Sequence, residues 1–185
     1  INVHHLADQV MDYLGDGDHL GVRIVYSVEE DLLGSAGGVK KMASYLGDSF
    51  VVVCGDIYTD FNLSEMIALH QKKRAIATLA LFEVDKPWEA GIVTMDKDGL
   101  IAGFIEKPPK GSEKGNLANG GIYIFNKRAF GYFPGENCCD FGHNVFPVFT
   151  KRKLPIYGYP IKDDDYLIDI GTIDNYEKVN KEVKN

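Results

Sequence analysis

Two aspartates that each end a short apolar run are the residues of this chain best suited to chemistry. Asp56 follows Gly55 after the run 50–54, and Asp169 lies at the end of the run 166–169. In an open α/β sheet, ligands bind beyond the carboxyl ends of the strands. Two carboxylates that meet there form a hard oxygen site of the kind that Mg²⁺ occupies while it also binds substrate phosphates. Either aspartate alone is typical of a turn, so the predicted metal site depends on the pair.

A glycine-rich segment, Gly34-Ser35-Ala36-Gly37-Gly38, is a candidate nucleotide-binding loop in front of a predicted helix over 39–46. Small residues let the backbone approach a flat base or a ribose closely. The segment is not a Walker loop, because no Gly-Lys-Ser/Thr follows, and its spacing does not fit the dinucleotide fingerprint. Taken alone, such a segment is equally typical of a structural turn.

Polar residues at the ends of two further β-like runs are candidates for sugar and phosphate contacts. Glu106 can accept hydrogen bonds from paired sugar hydroxyls, and Lys107 can neutralise a phosphate as a point charge. The two residues are also typical of an exposed ion pair at a loop entrance. Asn119 and Gly120 precede a predicted strand, where the amide could bind a sugar hydroxyl or simply form a turn.

The elements that must position these residues alternate along the chain. Helices are predicted over 5–14, 39–46, 63–73 and 173–184, and strands over 22–27, 50–54, 75–84 and 121–125. This alternation predicts a mainly parallel sheet with helices on both faces. The runs 91–95 and 101–105 flank an Asp-Gly turn and predict a hairpin, which adds antiparallel strands near the carboxyl edge.

Composition limits the classes of function. A length of 185 residues suits one domain, no run is long enough to span a membrane, and a net charge of −7 argues against a general nucleic-acid surface. Cys54, Cys138 and Cys139 have neither disulfide-framework nor zinc-site spacing. Cysteines with such spacing indicate a reducing, cytoplasmic compartment. An acidic surface with exposed late strands permits a homodimer.

Together these segments resemble the sugar-1-phosphate nucleotidyltransferases, essentially from end to end. The matching motifs are Asn2-Val3-His4-His5-Leu6, Tyr26-Ser27-Val28-Glu29-Glu30, Leu33-Gly34-Ser35-Ala36-Gly37, Gly55-Asp56, Gly91-Ile92-Val93, Phe104-Ile105-Glu106-Lys107-Pro108, Asn119-Gly120-Gly121-Ile122-Tyr123 and Asp169-Ile170-Gly171-Thr172. Asp140-Phe141-Gly142, Val145-Phe146-Pro147 and Tyr157-Gly158-Tyr159 look most like the mannose-1-phosphate guanylyltransferase branch.

The resemblance implies both a fold and a reaction. The fold would be the nucleotide-diphospho-sugar transferase fold, a Rossmann-like, mainly parallel mixed sheet flanked by helices, with an added antiparallel sugar-binding hairpin. A sugar-1-phosphate oxygen would attack the α-phosphorus of an NTP, giving an NDP-sugar and pyrophosphate. GTP with mannose-1-phosphate is the first expectation. The alternatives are heptose-1-phosphate, dTTP or UTP with glucose-1-phosphate, and a non-catalytic sugar-nucleotide-binding or regulatory subunit.

The resemblance also implies roles for individual residues. Asp56 and Asp169 match the family's catalytic Mg²⁺ carboxylates, and Lys107 matches the catalytic cation on the sugar phosphate. The implied sugar contacts are Gly91, Glu106 and Asn119, and Gly120 is a further implied substrate contact. The implied base and ribose contacts are Glu30, Gly34, Ser35, Ala36 and Gly37.

One segment of the family's pattern has no counterpart in this sequence. Family members begin with a strand and a glycine-rich loop that carries an Arg, followed by a Pro-Lys-Pro segment, and the loop binds the triphosphate. Residues 1–185 are therefore expected to be a single nucleotidyltransferase domain without its N-terminal strand, loop and helix, the sequence of a fragment.

Overall fold

The computed structural model describes residues 1–135, 138–162 and 164–183. The strands are β1 (Asn2–Val3), β2 (Ser27–Val28), β3 (Ser49–Val53), β4 (Ile57–Thr59), β5 (Ala77–Glu83), β6 (Gly91–Met95), β7 (Ile101–Glu106), β8 (Leu117–Asn126), β9 (Ile156–Pro160) and β10 (Leu167–Asp169). The α-helices are α1 (Ala7–Leu14), α2 (Gly34–Lys41), α3 (Leu63–Lys73), α4 (Phe146–Lys151) and α5 (Ile173–Glu182). Short 3₁₀ helices cover Asp18–Leu20, Pro87–Glu89 and Lys127–Tyr132, and a π-helix covers Phe141–Val145.

A six-stranded mixed sheet forms the centre of the fold. Its order is β7-β6-β8-β5-β9, and β3 pairs with β8 on the same edge as β6. β8 is antiparallel to β3, β5 and β6, whereas β5 and β9 are parallel. Four strands therefore run in one direction, and β7 and β8 run in the other. The predicted α/β class is confirmed, and β6 and β7 form the predicted antiparallel hairpin.

Alternate side chains of β8 enter two separate cores. Tyr123 and Phe125 lie in one core, together with the aromatic rings of Phe104, Phe133, Phe141, Phe146 and Phe149. Ile122 and Ile124 lie in the other core, where Met66 of α3 covers them. Successive strand residues point to opposite faces of a sheet, so one apolar strand fills both cores. Helices pack on both faces, as the alternation of elements predicts.

The glycine-rich segment is helical, so the prediction of a loop there is wrong. The helix begins at Gly34 and ends at Lys41, whereas the sequence predicts a helix over 39–46. Glycine is unfavourable in helices, and the pattern therefore indicates a loop. Tertiary contacts outweigh that propensity, because the N–H groups of Ala36 and Gly37 both donate to the carbonyl of Cys139 over 3.0 Å.

Other predicted elements differ in length from the observed ones. Of the predicted strand 22–27, only Ser27 lies in a strand, because β2 covers only Ser27–Val28 and its partner β1 is only two residues long. The predicted helix 63–73 is confirmed at both ends as α3, which Asn62 caps by accepting from the Ser64 N–H over 3.0 Å. The last predicted helix is α5, and the predicted end at Lys184 lies outside the described residues.

Candidate active site

The two predicted aspartates meet where β10 pairs with β4. Asp169 is the partner of Ile57, the residue after Asp56, and the Ile170 N–H donates to the Asp56 carbonyl over 2.7 Å. A Cβ built on Gly171 would lie 2.9 Å from Asp169 Oδ1 and 3.5 Å from Asp56 Oδ2. Both side chains are exposed. The two carboxylates therefore face the same open point, which glycine leaves free.

The two carboxylates can be compared with the ligands that Mg²⁺ needs. Within the described ranges, no group of three or more His, Cys, Asp or Glu side chains is arranged to hold a metal. Mg²⁺ is commonly bound through one or two carboxylates, with waters and substrate phosphates as the remaining ligands. Asp169 is held in place, since its Oδ1 accepts from the Gly171 N–H and its carbonyl accepts from Asn175 Nδ2, both over 2.7 Å. The donor set fits Mg²⁺.

The predicted sugar contacts line up across the sheet beside this pair. Gly91 pairs with Glu106 in the hairpin, and Ile92 pairs with Ala118 of β8. The antiparallel register, continued by one residue, brings Gly91 opposite Asn119. At the other end of the same stretch of β8, the Cys54 N–H donates to the Gly121 carbonyl over 2.9 Å. Asp56 follows Cys54 by two residues. Residues 119–121 of β8 therefore connect the predicted sugar contacts to the aspartate pair.

Glu106 is half-buried between two glycines. A Cβ on Gly91 would lie 2.7 Å from Glu106 Oε2, and a Cβ on Gly142 would overlap the same oxygen. Burial raises the pKa of the Glu106 carboxyl above its usual value, the positive charges of His143 and Lys107 act to lower it, and Asp140 acts to raise it. Gly91 therefore makes room for the carboxylate of its strand partner.

Lys107 follows Glu106 in a left-handed backbone conformation. Its φ is 43°, its N–H donates to the Ala90 carbonyl over 3.1 Å, and its side chain is exposed. A non-glycine residue in this region is uncommon, and such strain costs about 1–3 kcal/mol. Sparsely populated conformations of this kind cluster at functional sites. The turn directs the chain away from the strand immediately after Glu106.

The Asn119 amide is partly engaged within the protein. Its Nδ2 donates to the Tyr123 hydroxyl over 2.9 Å, and its Oδ1 accepts from the Gly121 N–H over 3.3 Å. Tyr123 in turn hydrogen-bonds the thiol of Cys54, whose pKa rises to about 11 because of burial and the nearby Asp56 charge. An amide nitrogen carries two N–H groups, so Asn119 keeps donor capacity for a ligand.

Gly120 contributes close packing to the same stretch of β8. A Cβ there would lie 3.1 Å from the Ala80 carbonyl and 3.2 Å from Leu167 Cδ1. Ala80 belongs to β5 and Leu167 to β10, so Gly120 lets three strands approach one another. Its position in the structure supports the site through packing, next to Asn119.

The start of α2 packs against the segment around Cys139. A Cβ on Gly34, which has a φ of 73°, would lie 2.5 Å from the Cys139 carbonyl oxygen. Ser35 Oγ donates to Asp140 Oδ2 over 2.6 Å, and Ala36 and Gly37 donate their N–H groups to Cys139. The small residues of this segment therefore allow close packing against Cys139 and Asp140. The sequence did not predict this packing role.

Glu29 is buried, although its sequence context does not distinguish it from Glu30, and the predicted contact Glu30 is exposed. Glu29 Oε2 accepts from the Leu33 N–H over 3.0 Å. Its Oε1 has no hydrogen-bond partner among the described residues and lies 2.8 Å from the place of a Cβ on Gly38. The available signal was alternation after Ser27, because Ser27 and Glu29 are buried and Val28 and Glu30 are exposed.

Asp140 is a second residue near the site that the sequence does not predict there. Its Oδ1 accepts from the N–H groups of Gly142 (2.8 Å) and His143 (3.1 Å), which caps the π-helix. Burial would raise the pKa of this carboxyl, but hydrogen bonds from Ser35, His143 and Gly142 outweigh that effect and lower the pKa. The available signal was an aspartate at a helix start, the usual N-cap residue.

The site carries an excess of negative charge. The charges of Asp56, Asp140 and Asp169 all act on the Cys54 thiol, and that of Glu106 acts on the adjoining Tyr123 hydroxyl. Anionic phosphates would be repelled by such a cluster unless cations intervened. Lys107 and a divalent ion on the aspartate pair would supply the required positive charge.

The fold is that of an α/β domain, and the candidate site lies at strand ends, where open α/β sheets commonly bind ligands. The chain belongs to the nucleotidyl transferase family, whose family model matches residues 1–185. Within the described ranges, no helix has both the length and the apolar character required to cross a membrane.

Curated relatives cover several substrate specificities. The chain is 35% identical to a UTP–glucose-1-phosphate uridylyltransferase of Synechocystis, over all of this chain and 52% of the relative. It is 32% identical to a mannose-1-phosphate guanylyltransferase of Mycobacterium tuberculosis, over 88% of this chain and 45% of the relative. It is 30% identical to a D-glycero-alpha-D-manno-heptose 1-phosphate guanylyltransferase of Campylobacter jejuni, over 94% and 73%. The chain spans about half the length of the first two relatives.

Solved structures show the same fold. HddC from Yersinia pseudotuberculosis matches with a TM-score of 0.81 and 24% identity, over 99% of this chain and 77% of that protein. The structure of the same protein complexed with GMP-PN matches with a TM-score of 0.79 and 23% identity, over 98% and 76%.

Proposed function

We propose that this chain is the catalytic domain of a sugar-1-phosphate nucleotidyltransferase. The domain transfers a nucleoside monophosphate from an NTP to a sugar-1-phosphate and releases pyrophosphate. The observation that carries this proposal is the meeting of Asp56 and Asp169 at one open point. It is accompanied by Glu106 of β7, which pairs with Gly91 of the neighbouring strand β6. Membership of the nucleotidyl transferase family supports it.

The reaction is a displacement at phosphorus. A phosphate oxygen of the sugar-1-phosphate attacks the α-phosphorus of the NTP and forms a new P–O bond. The bond from the α-phosphorus to the oxygen that bridges it to the β-phosphorus breaks, and pyrophosphate leaves with the electron pair. No covalent bond to the protein is needed, so the protein contributes by positioning two anions and neutralising their charge.

Each element of the site contributes to that positioning. Asp56 and Asp169 would hold Mg²⁺, which when bound supplies positive charge at the nucleotide phosphate oxygens. Lys107 neutralises the sugar phosphate, and Glu106 accepts hydrogen bonds from two sugar hydroxyls. Gly91 leaves the space that the Glu106 carboxylate needs. Asn119 offers its remaining amide hydrogen to the sugar.

GTP is the favoured nucleotide, and the buried carboxylate of Glu29 supports this choice. A carboxylate can only accept hydrogen bonds, and Glu29 Oε1 has no partner among the described residues. Guanine offers adjacent N1–H and N2–H₂ donors on its pairing edge, whereas uracil and thymine offer one N–H between two carbonyl acceptors. Because Oε1 is buried in this structure, Glu29 must become accessible when the base binds. Among bases that approach the start of α2, guanine would then satisfy it best.

Mannose-1-phosphate is the favoured sugar phosphate. Sequence similarity to the Mycobacterium mannose-1-phosphate guanylyltransferase supports it, and the Campylobacter relative makes a heptose-1-phosphate the next choice. UTP with glucose-1-phosphate is a second candidate pair, because the Synechocystis uridylyltransferase is 35% identical over the whole of this chain. We propose that the reaction takes place in the cytoplasm, because the spacing of the three cysteines fits neither a disulfide framework nor a zinc site. A homodimer is the proposed assembly.

Pyrophosphate release tests these substrate choices directly. The full-length protein with Mg²⁺ would be assayed with GTP, UTP and dTTP, each against mannose-1-phosphate, glucose-1-phosphate and heptose-1-phosphate. We expect the highest kcat/KM with GTP and mannose-1-phosphate, and Glu29→Gln should lower the preference for GTP over UTP. A folded protein that releases no pyrophosphate with any pair would instead support a sugar-nucleotide-binding or regulatory subunit.

A further inference from the structure

The Ser35 hydroxyl joins the start of α2 to the turn before the π-helix. It donates to Asp140 Oδ2 over 2.6 Å and accepts from the Phe141 N–H over 3.0 Å. The backbone reinforces this contact, since Cys139 accepts from Ala36 and Gly37 and donates its N–H to the Leu33 carbonyl over 2.9 Å. Segments more than one hundred residues apart in sequence are thereby held together.

Asp140 extends this connection towards Glu106. While its Oδ2 accepts from Ser35, its Oδ1 accepts from the Gly142 and His143 N–H groups and fixes the first turn of the π-helix. Gly142 then lies against the Glu106 carboxylate so closely that a Cβ would overlap Oε2. π-Helical turns are rare and occur frequently at functional sites. The contacts run without interruption from Ser35 through Asp140 and Gly142 to Glu106.

We propose that Ser35 and Asp140 are positioning residues for the sugar-1-phosphate, which act by holding the π-helical turn against Glu106. They connect α2, against which the base is proposed to bind, to the carboxylate that receives the sugar. Neither residue touches the reacting atoms. The inference rests on the proposed function, because the sugar-binding role of Glu106 is part of that function.

This role differs from the base contact that the sequence suggests for Ser35. A serine hydroxyl has a single proton, and in this structure that proton is donated in the hydrogen bond to Asp140. Ser35 therefore cannot donate to a base unless it releases Asp140. Ser35→Ala removes both side-chain hydrogen bonds but leaves the three backbone bonds between α2 and Cys139, so the variant should fold.

Steady-state kinetics of the full-length protein separate the two roles. Ser35→Ala should raise the KM for the sugar-1-phosphate roughly tenfold, with little change in the KM for the NTP, because the carboxylate is displaced and the nucleotide contacts remain. Glu106→Gln should raise the same KM. Ser35→Thr, which keeps the hydroxyl, should restore the wild-type value. Ser44→Ala, an exposed serine beyond the end of α2, should leave both KM values unchanged.

Two outcomes overturn the inference. A rise in the KM for the NTP alone would make Ser35 a nucleotide contact, and no change in either KM would make the Ser35–Asp140 hydrogen bond irrelevant to substrate.

If the wild-type protein releases no pyrophosphate, the proposed function fails, and calorimetric titration with the sugar-1-phosphate decides the positioning role separately. Weaker binding by Ser35→Ala than by wild type would then support that role, and equal binding would refute it.

Discussion

In the proposed function, Glu106 accepts hydrogen bonds from two sugar hydroxyls, and these bonds are stronger when its carboxyl is ionised. Glu106 nevertheless lies in a place that disfavours ionisation. Burial raises the pKa of its carboxyl, and the charged groups that act on it are His143, Asp140 and Lys107. Of these, His143 and Lys107 favour the ionised form. His143 therefore helps to determine the pH at which the carboxylate becomes able to bind sugar.

Replacement of His143 should shift the pH below which kcat/KM for the sugar-1-phosphate decreases. In His143→Gln the neighbouring positive charge is lost, so the pKa of Glu106 rises further and the carboxylate protonates at a higher pH. We expect the acid limb of kcat/KM for the sugar-1-phosphate to move to higher pH, measured between about pH 5 and 8. His19→Gln serves as the control, since His19 lies in the remote 3₁₀ helix Asp18–Leu20. An acid limb that stays in place or moves to lower pH would contradict this account.

The thiol of Cys54 should react slowly with alkylating reagents, although it lies beside the aspartate pair. Its pKa is raised to about 11 by burial and by Asp56, so the reactive thiolate amounts to about one part in a thousand at pH 8. Cys138 is exposed. In a time course of iodoacetamide labelling followed by peptide mass spectrometry, Cys138 should be modified well before Cys54. Equal rates at the two positions would show that the thiol is not protected as described.

At the scale of elements, the π-helix can approach the hairpin only because Gly142 has no side chain. The Cβ of Gly142→Ala would overlap Glu106 Oε2 and lie 3.3 Å from Asp140 Oδ1. The turn and the carboxylate must then separate, and we expect the KM for the sugar-1-phosphate to rise at least tenfold.

Gly131→Ala provides the matched control for this variant. Gly131 lies in the 3₁₀ helix Lys127–Tyr132, and its Cβ would meet no atom within 4 Å. Both KM values should be unchanged there, and thermal unfolding would show whether either variant is destabilised. If Gly142→Ala retained the wild-type KM for the sugar-1-phosphate, the close contact with Glu106 would have no functional importance.

The elements that the sequence predicts best are those determined by local signals. α3 follows from its apolar spacing and its Asn62 cap, and the hairpin of β6 and β7 follows from its Asp-Gly turn. The start of α2 could not be predicted, because its glycines are helical only through contacts with Cys139. The predicted strand 22–27 is shortened for a similar reason, since its length depends on the partner strand β1.

At the scale of the whole molecule, a buried histidine makes stability depend on pH. His70 is 3% exposed, and its Nδ1 lies 2.9 Å from Thr78 Oγ1. Burial lowers the pKa of His70 below its ordinary value of 6.5, so the unfolded chain binds this proton more readily than the folded chain. As pH falls through about 6.5, the unfolded state is therefore favoured, and stability decreases.

Thermal unfolding should reveal this dependence. We expect the Tm to fall between about pH 7.5 and pH 5.5, and to fall less in His70→Gln than in wild type. His5→Gln, at an exposed position before α1, should retain the wild-type slope. An identical pH dependence in His70→Gln would show that other groups cause the decrease.

The candidate site is assembled from distant parts of the whole molecule. The aspartate pair is predictable, because each aspartate ends a β-like run and strand ends converge at one edge. Asp140 lies at the site through long-range contacts, among them its hydrogen bond with Ser35, 105 residues away. Glu29 differs from Glu30 only in the face of the chain to which it points, which depends on the pairing of β2 with β1. Long-range packing of this kind leaves little trace in one sequence.

The most direct test is the Mg²⁺-dependent rate of nucleotidyl transfer by the full-length protein and three aspartate variants. We predict that Asp56→Asn and Asp169→Asn each lower kcat at least about a hundredfold at saturating Mg²⁺, because each removes one of the two carboxylates that face the same point. Asp174→Asn, in the exposed first turn of α5, should keep the wild-type rate. Full activity in either Asp56→Asn or Asp169→Asn would contradict the account.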